Sequence, residues 1–266
     1  MSDRDVYASA PLVSVIMPAY CSGDVISRSI GSVEAQTVED WELLVVDDCS
    51  PDDTYERLLS LSTADRRIRV FRTSENSGPA AARNIALENA CGRYAAFLDS
   101  DDLWMSDKLE RQIAFMSEKR AAFSCTAYDR VSEDGTILGR VTPYEKADYR
   151  KVLYYANPVG NCTAMIDRKV LGDLRVPMIR KRNDFALWLK ALKITDYVYG
   201  MKDCLAQYTV RSSSVSSNKA DLLRYHWQLY REVERLDMGR IMLAFAGLAY
   251  TQIAHPTWRG AGRKDL

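Results

Sequence analysis

Apolar positions in the first hundred residues form short continuous runs, separated by stretches in which they recur at helical spacing. "LVSVIM" (12–17) is one such run, and Ile26, Ile30 and Val33 then share a helical face. The unit repeats. "WELLVV" (41–46) predicts a second strand, a polar helix follows from about Asp52 to Leu61, and "IRVF" (68–71) predicts a third strand. A helix over about Pro79–Ala90 and the strand "RYAAFL" (93–98) complete the series. Strands that are apolar on both faces and alternate with helices predict an α/β fold whose mostly parallel sheet is covered on both sides.

After residue 120 the pattern changes. "AAFSCTAYDRV" and "TILGRV", separated by Glu133, Asp134 and Gly135, predict a hairpin. "NCTAMI" (161–166) predicts a further strand and "DFALWLKALK" (184–193) an amphipathic helix. No low-complexity linker separates the halves, so residues 1–215 are expected to form one domain, with a first half over about 10–105 and a second half over about 106–215. Residues 216–266 are expected to be a helical C-terminal extension, helical from about Lys219 to Ala254.

Composition narrows the classes. The 266 residues are 47% apolar and 27% charged, which suits a globular chain. Thirty-six basic and thirty-six acidic residues cancel, so no overall field draws in nucleic acid. The six cysteines are widely spaced without a C-x-x-C pair, and the only histidines are His226 and His255, which suggests neither a zinc site nor a disulfide framework. A cytoplasmic location is expected, because "MSDRDVYASAP" lacks the basic start and apolar core of a signal peptide. The longest apolar stretch, Ile241–Ala254, falls short of the ~20 residues that span a bilayer.

In open parallel sheets, ligands bind beyond the carboxyl ends of the strands. Three acidic or turn-forming stretches fall there. "FLDSDD" (97–102) places Asp99, Asp101 and Asp102 after the fourth strand, where hard oxygen ligands one residue apart suit Mg²⁺ or Mn²⁺. The alternative for Asp102 is a helix start. "VVDDCSPDDT" puts Asp47 and Asp48 after the second strand, as turn residues or as acceptors for the imide N–H of uracil, while Asp52 and Asp53 serve a helix start. "NSGPAAARN" (76–84) offers Gly78 for a close approach and Pro79 as a first helical residue, with Arg83 one turn in, either near a diphosphate or solvated.

Taken in this order, "VSVIMPAY" (13–20), "VVDDCS", "NSGPAAARN" and "FLDSDD" resemble the family-two glycosyltransferases, enzymes of the GT-A fold that use nucleotide sugars. The resemblance implies a Rossmann-like sheet in which Pro18, Ala19 and Tyr20 line the nucleotide and Asp48, with Asp47, reads uracil. It implies that Gly78, Arg83 and Ser100 lie at the nucleotide-sugar, that Asp101 ligates Mn²⁺ or Mg²⁺, and that Asp99 assists through metal, ribose or sugar contacts. It places a catalytic carboxylate ahead of an aromatic helix, where "KRNDFALWLKAL" supplies Asp184, followed by Trp188. Asp184 would be the general base of an inverting displacement, its alternative being a helix cap.

The implied partners are a UDP-sugar donor and a glycan or lipid-linked acceptor of a bacterial surface polysaccharide, with no nucleic acid. Three departures stand out. Asn183 occupies a position where many relatives have Glu, Cys49 replaces Gly in the "DDGS" pattern, and "YTVRSSSVSSNK" (208–219) offers Arg211 and serines instead of a late histidine. Trp188 reads as core, since Phe185, Leu189 and Leu192 share its helix.

Competing classes lack their signatures. There is no G-x-G-x-x-G after the first strand, no P-loop and no G-x-S-x-G. A sugar nucleotidyltransferase would carry a basic, Gly-rich loop where Pro18–Ser22 has no Lys or Arg. A non-catalytic sugar-nucleotide binder of the same fold is the other alternative, and intact Asp99, Asp101 and Asp184 argue against it. The C-terminal segment, with Arg224, Arg231, Arg235 and Arg240 ahead of the apolar run and Trp258 beyond it, packs on the core or lies peripherally on a membrane.

Overall fold

The computed structural model describes residues 10–155, 159–211 and 219–254. The N-terminal segment 1–9, the serines of 212–218, His255 and Trp258 lie outside the described residues. In chain order the first elements are β1 (Val13–Ala19), α1 (Ile26–Glu34), β2 (Trp41–Asp47), α2 (Thr54–Ala64), β3 (Ile68–Arg72), α3 (Pro79–Asn89) and β4 (Tyr94–Phe97). Then follow β5 (Leu103–Trp104), α4 (Lys108–Lys119), β6 (Phe123–Ser132), β7 (Ile137–Val141), β8 (Lys146–Ala147) and α5 (Tyr149–Tyr155). The rest are β9 (Met165–Asp167), α6 (Arg168–Leu171), α7 (Asn183–Ala191), β10 (Val198–Val210), α8 (Lys219–Gln228) and α9 (Met238–Ala254).

Every residue of β1 and β2 is buried, as strands sandwiched between helices require. Their side chains alternate between two cores. Val13, Val15, Met17, Leu43 and Val45 pack with Ile26, Ile30 and Val33 of α1, Leu58 of α2 and Leu109 of α4. Ile16, Leu44 and Val46 face the opposite way, onto Ala82 and Ala86 of α3 and Trp188 of α7. Strands β3, β2, β1 and β4 are mutually parallel, which brings their carboxyl ends to one edge.

The sheet continues past β4 in the order β9-β6-β10-β5, with β7 added to β6 and β8 to β10. Strand β9 runs antiparallel to both β4 and β6, so the sheet is mixed at its centre. The expected hairpin is formed by β6 and β7, and its turn contains Gly135 at φ 86°. Only the second part of "NCTAMI" is strand, because Asn161–Thr163 form a 3₁₀ turn. The long β10 has no counterpart in the hydrophobic pattern. Its pairing with β6 shifts register between Met201 and Cys204 and again before Ala206, which breaks the two-residue alternation.

Among the described residues the C-terminal segment holds two helices. A π-turn over Leu229–Val233 ends α8, and Arg235 takes a left-handed φ of 53° before α9 begins. Leu229, Tyr230, Leu236, Ile241 and Ala244 join the core that holds Trp188. At Gly247, α9 approaches α5 so closely that a Cβ would lie 1.6 Å from the Tyr154 carbonyl oxygen. The remaining face of α9 carries Met238, Met242, Leu243 and Tyr250, each more than half exposed. Among the described residues, no helix is long and apolar enough to cross a membrane.

One buried charge stands out in the core. Lys108 is fully buried, its ammonium sits 3.8 Å from the centre of the Trp104 ring, and it has no hydrogen-bond partner. Burial pushes its pKa down to about 7. Between that value and the unfolded value of about 10.4, only the unfolded chain holds the proton, so stability rises as pH increases across this window. Replacing Lys108 by Met is expected to raise the melting temperature at pH 7, by a stabilisation on the order of a few kcal/mol, and to flatten the rise between pH 7 and 10. Thermal melts of both proteins across that range check it, and unchanged slopes would contradict it.

Candidate active site

The loops after β1, β2 and β4 meet at the carboxyl edge of the sheet. Pro18 and Ala19 end β1 and are buried, while Tyr20, the next residue, is exposed. Asp48 follows β2, and its N–H donates to the Ala19 carbonyl at 2.8 Å, which ties the two loops together. Its carboxylate accepts the N–H of Gly78 at 2.7 Å, the N–H of Ser77 at 3.0 Å and the Thr73 hydroxyl at 3.0 Å. The anion at the N-terminus of α3 is therefore Asp48 itself, and Gly78, at φ 87°, presents its N–H to it.

Asp47 is fully buried. It pairs with Arg72 at 3.1 Å and accepts the Ser50 N–H at 3.2 Å, so it fixes the loop from inside. Between these two aspartates and Ser50, Cys49 holds a left-handed φ of 57°. The loop thus keeps the backbone conformation that glycine would supply, with a Cβ tolerated there. Asp52 accepts the Thr54 N–H and hydroxyl at the start of α2, the helix-start role expected of it.

The acidic loop after β4 is held from three sides. Asp99 accepts Arg83 Nη2 at 2.5 Å and Asn161 Nδ2 at 2.8 Å. Ser100 shares a hydrogen bond with the Ser22 hydroxyl at 2.7 Å, and its carbonyl accepts the Ser29 hydroxyl at 2.8 Å. From β10, Thr209 donates its N–H to Asp102 at 2.9 Å and its hydroxyl to the Asp101 carbonyl at 2.5 Å. Asp102 is therefore not the helix start considered above. It precedes β5, is completely buried, and anchors the turn to β10, while Asp107 occupies the position before α4.

The electrostatics of this loop are unbalanced. Burial and the neighbouring charge of Asp99 push the Asp101 carboxyl up to about 6, with Arg211 pulling it partly back. Burial and the charges of Asp101 and Asp99 raise Asp102 well above the usual carboxylate range, and its Oδ2 has no nitrogen or oxygen donor. Arg83 is committed to Asp99. A hard divalent cation would answer this shortage of positive charge. Among the described residues no group of three His, Cys, Asp or Glu converges.

Asp184 lies in the first turn of α7. No side chain caps this helix, and its N-terminal boundary is Arg182 in a left-handed conformation of φ 61°, so Asp184 stands inside the helix rather than capping it. The preceding Asn183 accepts Arg83 Nη1 at 2.6 Å. Trp188 is fully buried and meets Phe97 edge-on at 5.0 Å, as a core residue. A cleft of about 740 Å³ runs along α3 past Asn84, Ile85, Arg175 and Met178, and none of Asp48, Asp99, Asp101 or Asp184 borders it. Asn161 and Thr209 are polar partners that sequence reasoning missed, and Asn183 was noted only as a departure, without its partner. Each acts across 60 or more residues, and no local pattern announces such pairings.

A parallel β-α half whose strand-end loops carry clustered carboxylates, continued by a mixed half, is the GT-A architecture of nucleotide-sugar glycosyltransferases. The chain belongs to glycosyl transferase family 2, whose profile matches residues 14–175, and it is a glycosyltransferase. TuaG of Bacillus subtilis (strain 168), whose name places it in teichuronic acid biosynthesis, is 45% identical over 241 residues, covering 90% of this chain and 95% of TuaG. WfgD of Escherichia coli, a UDP-Glc:alpha-D-GlcNAc-diphosphoundecaprenol beta-1,3-glucosyltransferase, is 38% identical over 233 residues, covering 86% of this chain and 89% of WfgD. Among solved structures, S. aureus TarS 1-349 in complex with UDP-GlcNAc superposes with a TM-score of 0.69 at 22% identity, covering 91% of this chain and 73% of that one. The mannosyltransferase PcManGT of Pyrobaculum calidifontis, in complex with GDP-Man and Mn²⁺, gives 0.65 at 20% identity, covering 93% and 72%.

The left-handed Cys49 provides a test of the loop's backbone. A residue with a Cβ costs about 1–2 kcal/mol in that region, and glycine returns about 0.5–1 kcal/mol of this as unfolded-chain entropy. Cys49→Gly is expected to stabilise the protein by about 0.5–1 kcal/mol in urea unfolding. Destabilisation by the same amount would show that the thiol, which lies 3.8 Å from the Ser74 carbonyl, contributes more than the backbone costs.

Proposed function

We propose that the protein is an inverting, metal-assisted glycosyltransferase that moves a sugar from a UDP-sugar to a hydroxyl of a lipid-linked oligosaccharide in bacterial surface-polysaccharide assembly. The observation that carries this reading is the acidic loop after β4. Its Asp101 carboxylate lacks a full protein counter-charge, and Arg83 links its Asp99 to the residue before Asp184. Donor and acceptor follow the name of WfgD, which states UDP-Glc and a diphosphoundecaprenol-linked GlcNAc.

In this reading Pro18, Ala19 and Tyr20 line the base and ribose. Asp48 selects uracil through Oδ2, which accepts one hydrogen bond from the protein, while Asp47 holds the loop rigid through Arg72. Gly78 and Arg83 border the diphosphate side, and Ser100 keeps the acidic turn docked on the β1–α1 loop. Asp101, assisted by Asp99, would hold Mn²⁺ or Mg²⁺, which supplies charge neutralisation for the departing UDP. Asp184 accepts the proton of the acceptor hydroxyl as that oxygen bonds to the anomeric carbon. The bond from that carbon to the UDP oxygen breaks in the same displacement, so its configuration inverts.

Residues 1–215 constitute the catalytic domain in this proposal, and residues 216–266 an extension that rests on the inner face of the cytoplasmic membrane. The exposed face of α9 supports this contact, because Met242, Leu243 and Tyr250 stand open while Arg231, Arg235 and Arg240 nearby in the chain are exposed and suit anionic head groups.

Two measurements test the proposal. In a nucleotide-sugar panel with and without Mn²⁺, Asp101→Asn is expected to weaken metal-dependent UDP binding at least tenfold. Asp184→Asn is expected to keep UDP binding and to lose transfer by about 10²–10⁴-fold. Full turnover by Asp184→Asn removes the base assignment, and metal-dependent binding without transfer by the wild type favours a non-catalytic binder. For the membrane contact, Met242→Asp with Leu243→Asp should abolish co-sedimentation with phosphatidylglycerol vesicles while leaving the melting temperature within a few degrees. Retained sedimentation would place the contact elsewhere.

A further inference from the structure

Arg83 connects two elements that are remote in the chain. Its Nη2 donates to Asp99 at the end of β4, and its Nη1 donates to Asn183 Oδ1 at the first residue of α7, at 2.6 Å. Both ends are enclosed, with Arg83 5% and Asn183 4% exposed. A guanidinium presents its donors in a rigid planar fork, so two such bonds fix the relative placement of the groups that receive them. Asn161 braces the same Asp99 oxygen from the turn before β9, at 2.8 Å.

Among the described residues, Lys181 lies against the Tyr225 ring just before α7, and few side-chain hydrogen bonds hold the helix start itself. Its first turn lacks a side-chain cap, Arg182 enters it in a left-handed conformation, and the other bond of Asn183, to the Arg180 carbonyl, is 3.4 Å long. From Phe185 onward the helix is fixed by core packing. Asp184 therefore lies between a segment set by the Arg83 bond and a segment set by the core.

We infer that Arg83 and Asn183 form a strut of positioning residues, which fixes the distance between the carboxylates after β4 and Asp184. The inference rests on the glycosyl-transfer reading above. An amide at position 183 accepts the guanidinium hydrogen bond without adding a second negative charge. Misplacing a reacting group by about 1 Å costs roughly a hundredfold in rate, and the strut holds Asp184 to that tolerance.

The experiment compares wild type, Asn183→Ala and Asn183→Asp in steady-state transfer, UDP calorimetry and thermal melts. Asn183→Ala is expected to lower kcat by about 10–100-fold while UDP affinity and acceptor KM stay within about threefold. Asn183→Asp keeps an oxygen acceptor for Arg83 and is expected to recover kcat to within about fivefold of wild type. Should the alanine variant not fold, Asn183→Ser takes its place, since its shorter side chain breaks the bond while remaining polar.

A role confined to stability would lower the melting temperature and leave kcat of the folded enzyme intact, and that result overturns the strut. An Asn183→Asp variant as slow as Asn183→Ala also overturns it. A wild type that transfers no sugar from any donor refutes glycosyl transfer itself and the strut with it. Normal wild-type transfer with an indifferent Asn183→Ala refutes the strut alone.

Discussion

Like charges at the tip of a buried strand stay there only if hydrogen bonds hold them against their own repulsion, and this constraint organises the molecule. The loop after β4 is gripped by Arg83 from α3, by Asn161 from the turn before β9, by Ser22 and Ser29 from the β1–α1 region, and by Thr209 from β10. Elements from the whole length of the chain thus converge on four residues. Arg83 is matched to Asp99, while burial and the neighbouring Asp99 charge raise the pKa of Asp101. What remains is an under-compensated acidic site, whose charge a divalent cation would answer.

The parallel half was legible because its physics is local. Continuous apolar runs such as "LVSVIM", alternating with helical spacing, read as strands covered on two faces, and Pro79 after Gly78 suits a helix start by backbone geometry. The second half resisted reading where structure depends on remote pairing. Strand β10 mixes Lys202, Asp203 and Gln207 with apolar residues and carries register shifts, so its sequence shows no period. Asp102 was ambiguous for a related reason, because a carboxylate in front of an apolar pair reads as a helix cap until Thr209 is seen beneath it.

The same division applies to the site. Asp47, Asp48, Asp99 and Asp101 could be singled out because they follow buried strands, and the fold brings their loops to one edge. Their mutual contacts could not. Arg83 left two readings open, near a diphosphate or solvated, and only the fold shows it buried and hydrogen-bonded to both Asp99 and Asn183. The substitution of Cys for Gly at position 49 raised the question of loop shape, and the backbone answers it, since the left-handed turn persists around a residue with a Cβ.

Strand β9 is three residues long, yet it lies antiparallel between β4 and β6 and supplies the hydrogen-bonding edge that β4 would otherwise expose. The N-terminal hundred residues consequently end in an open ladder that only a segment some seventy positions downstream can close. A fragment cut after the acidic loop would present that bare edge to other chains and invite intermolecular pairing. Recombining N-terminal and C-terminal portions of related enzymes would therefore succeed only when Met165–Asp167 travels with the strand it seals.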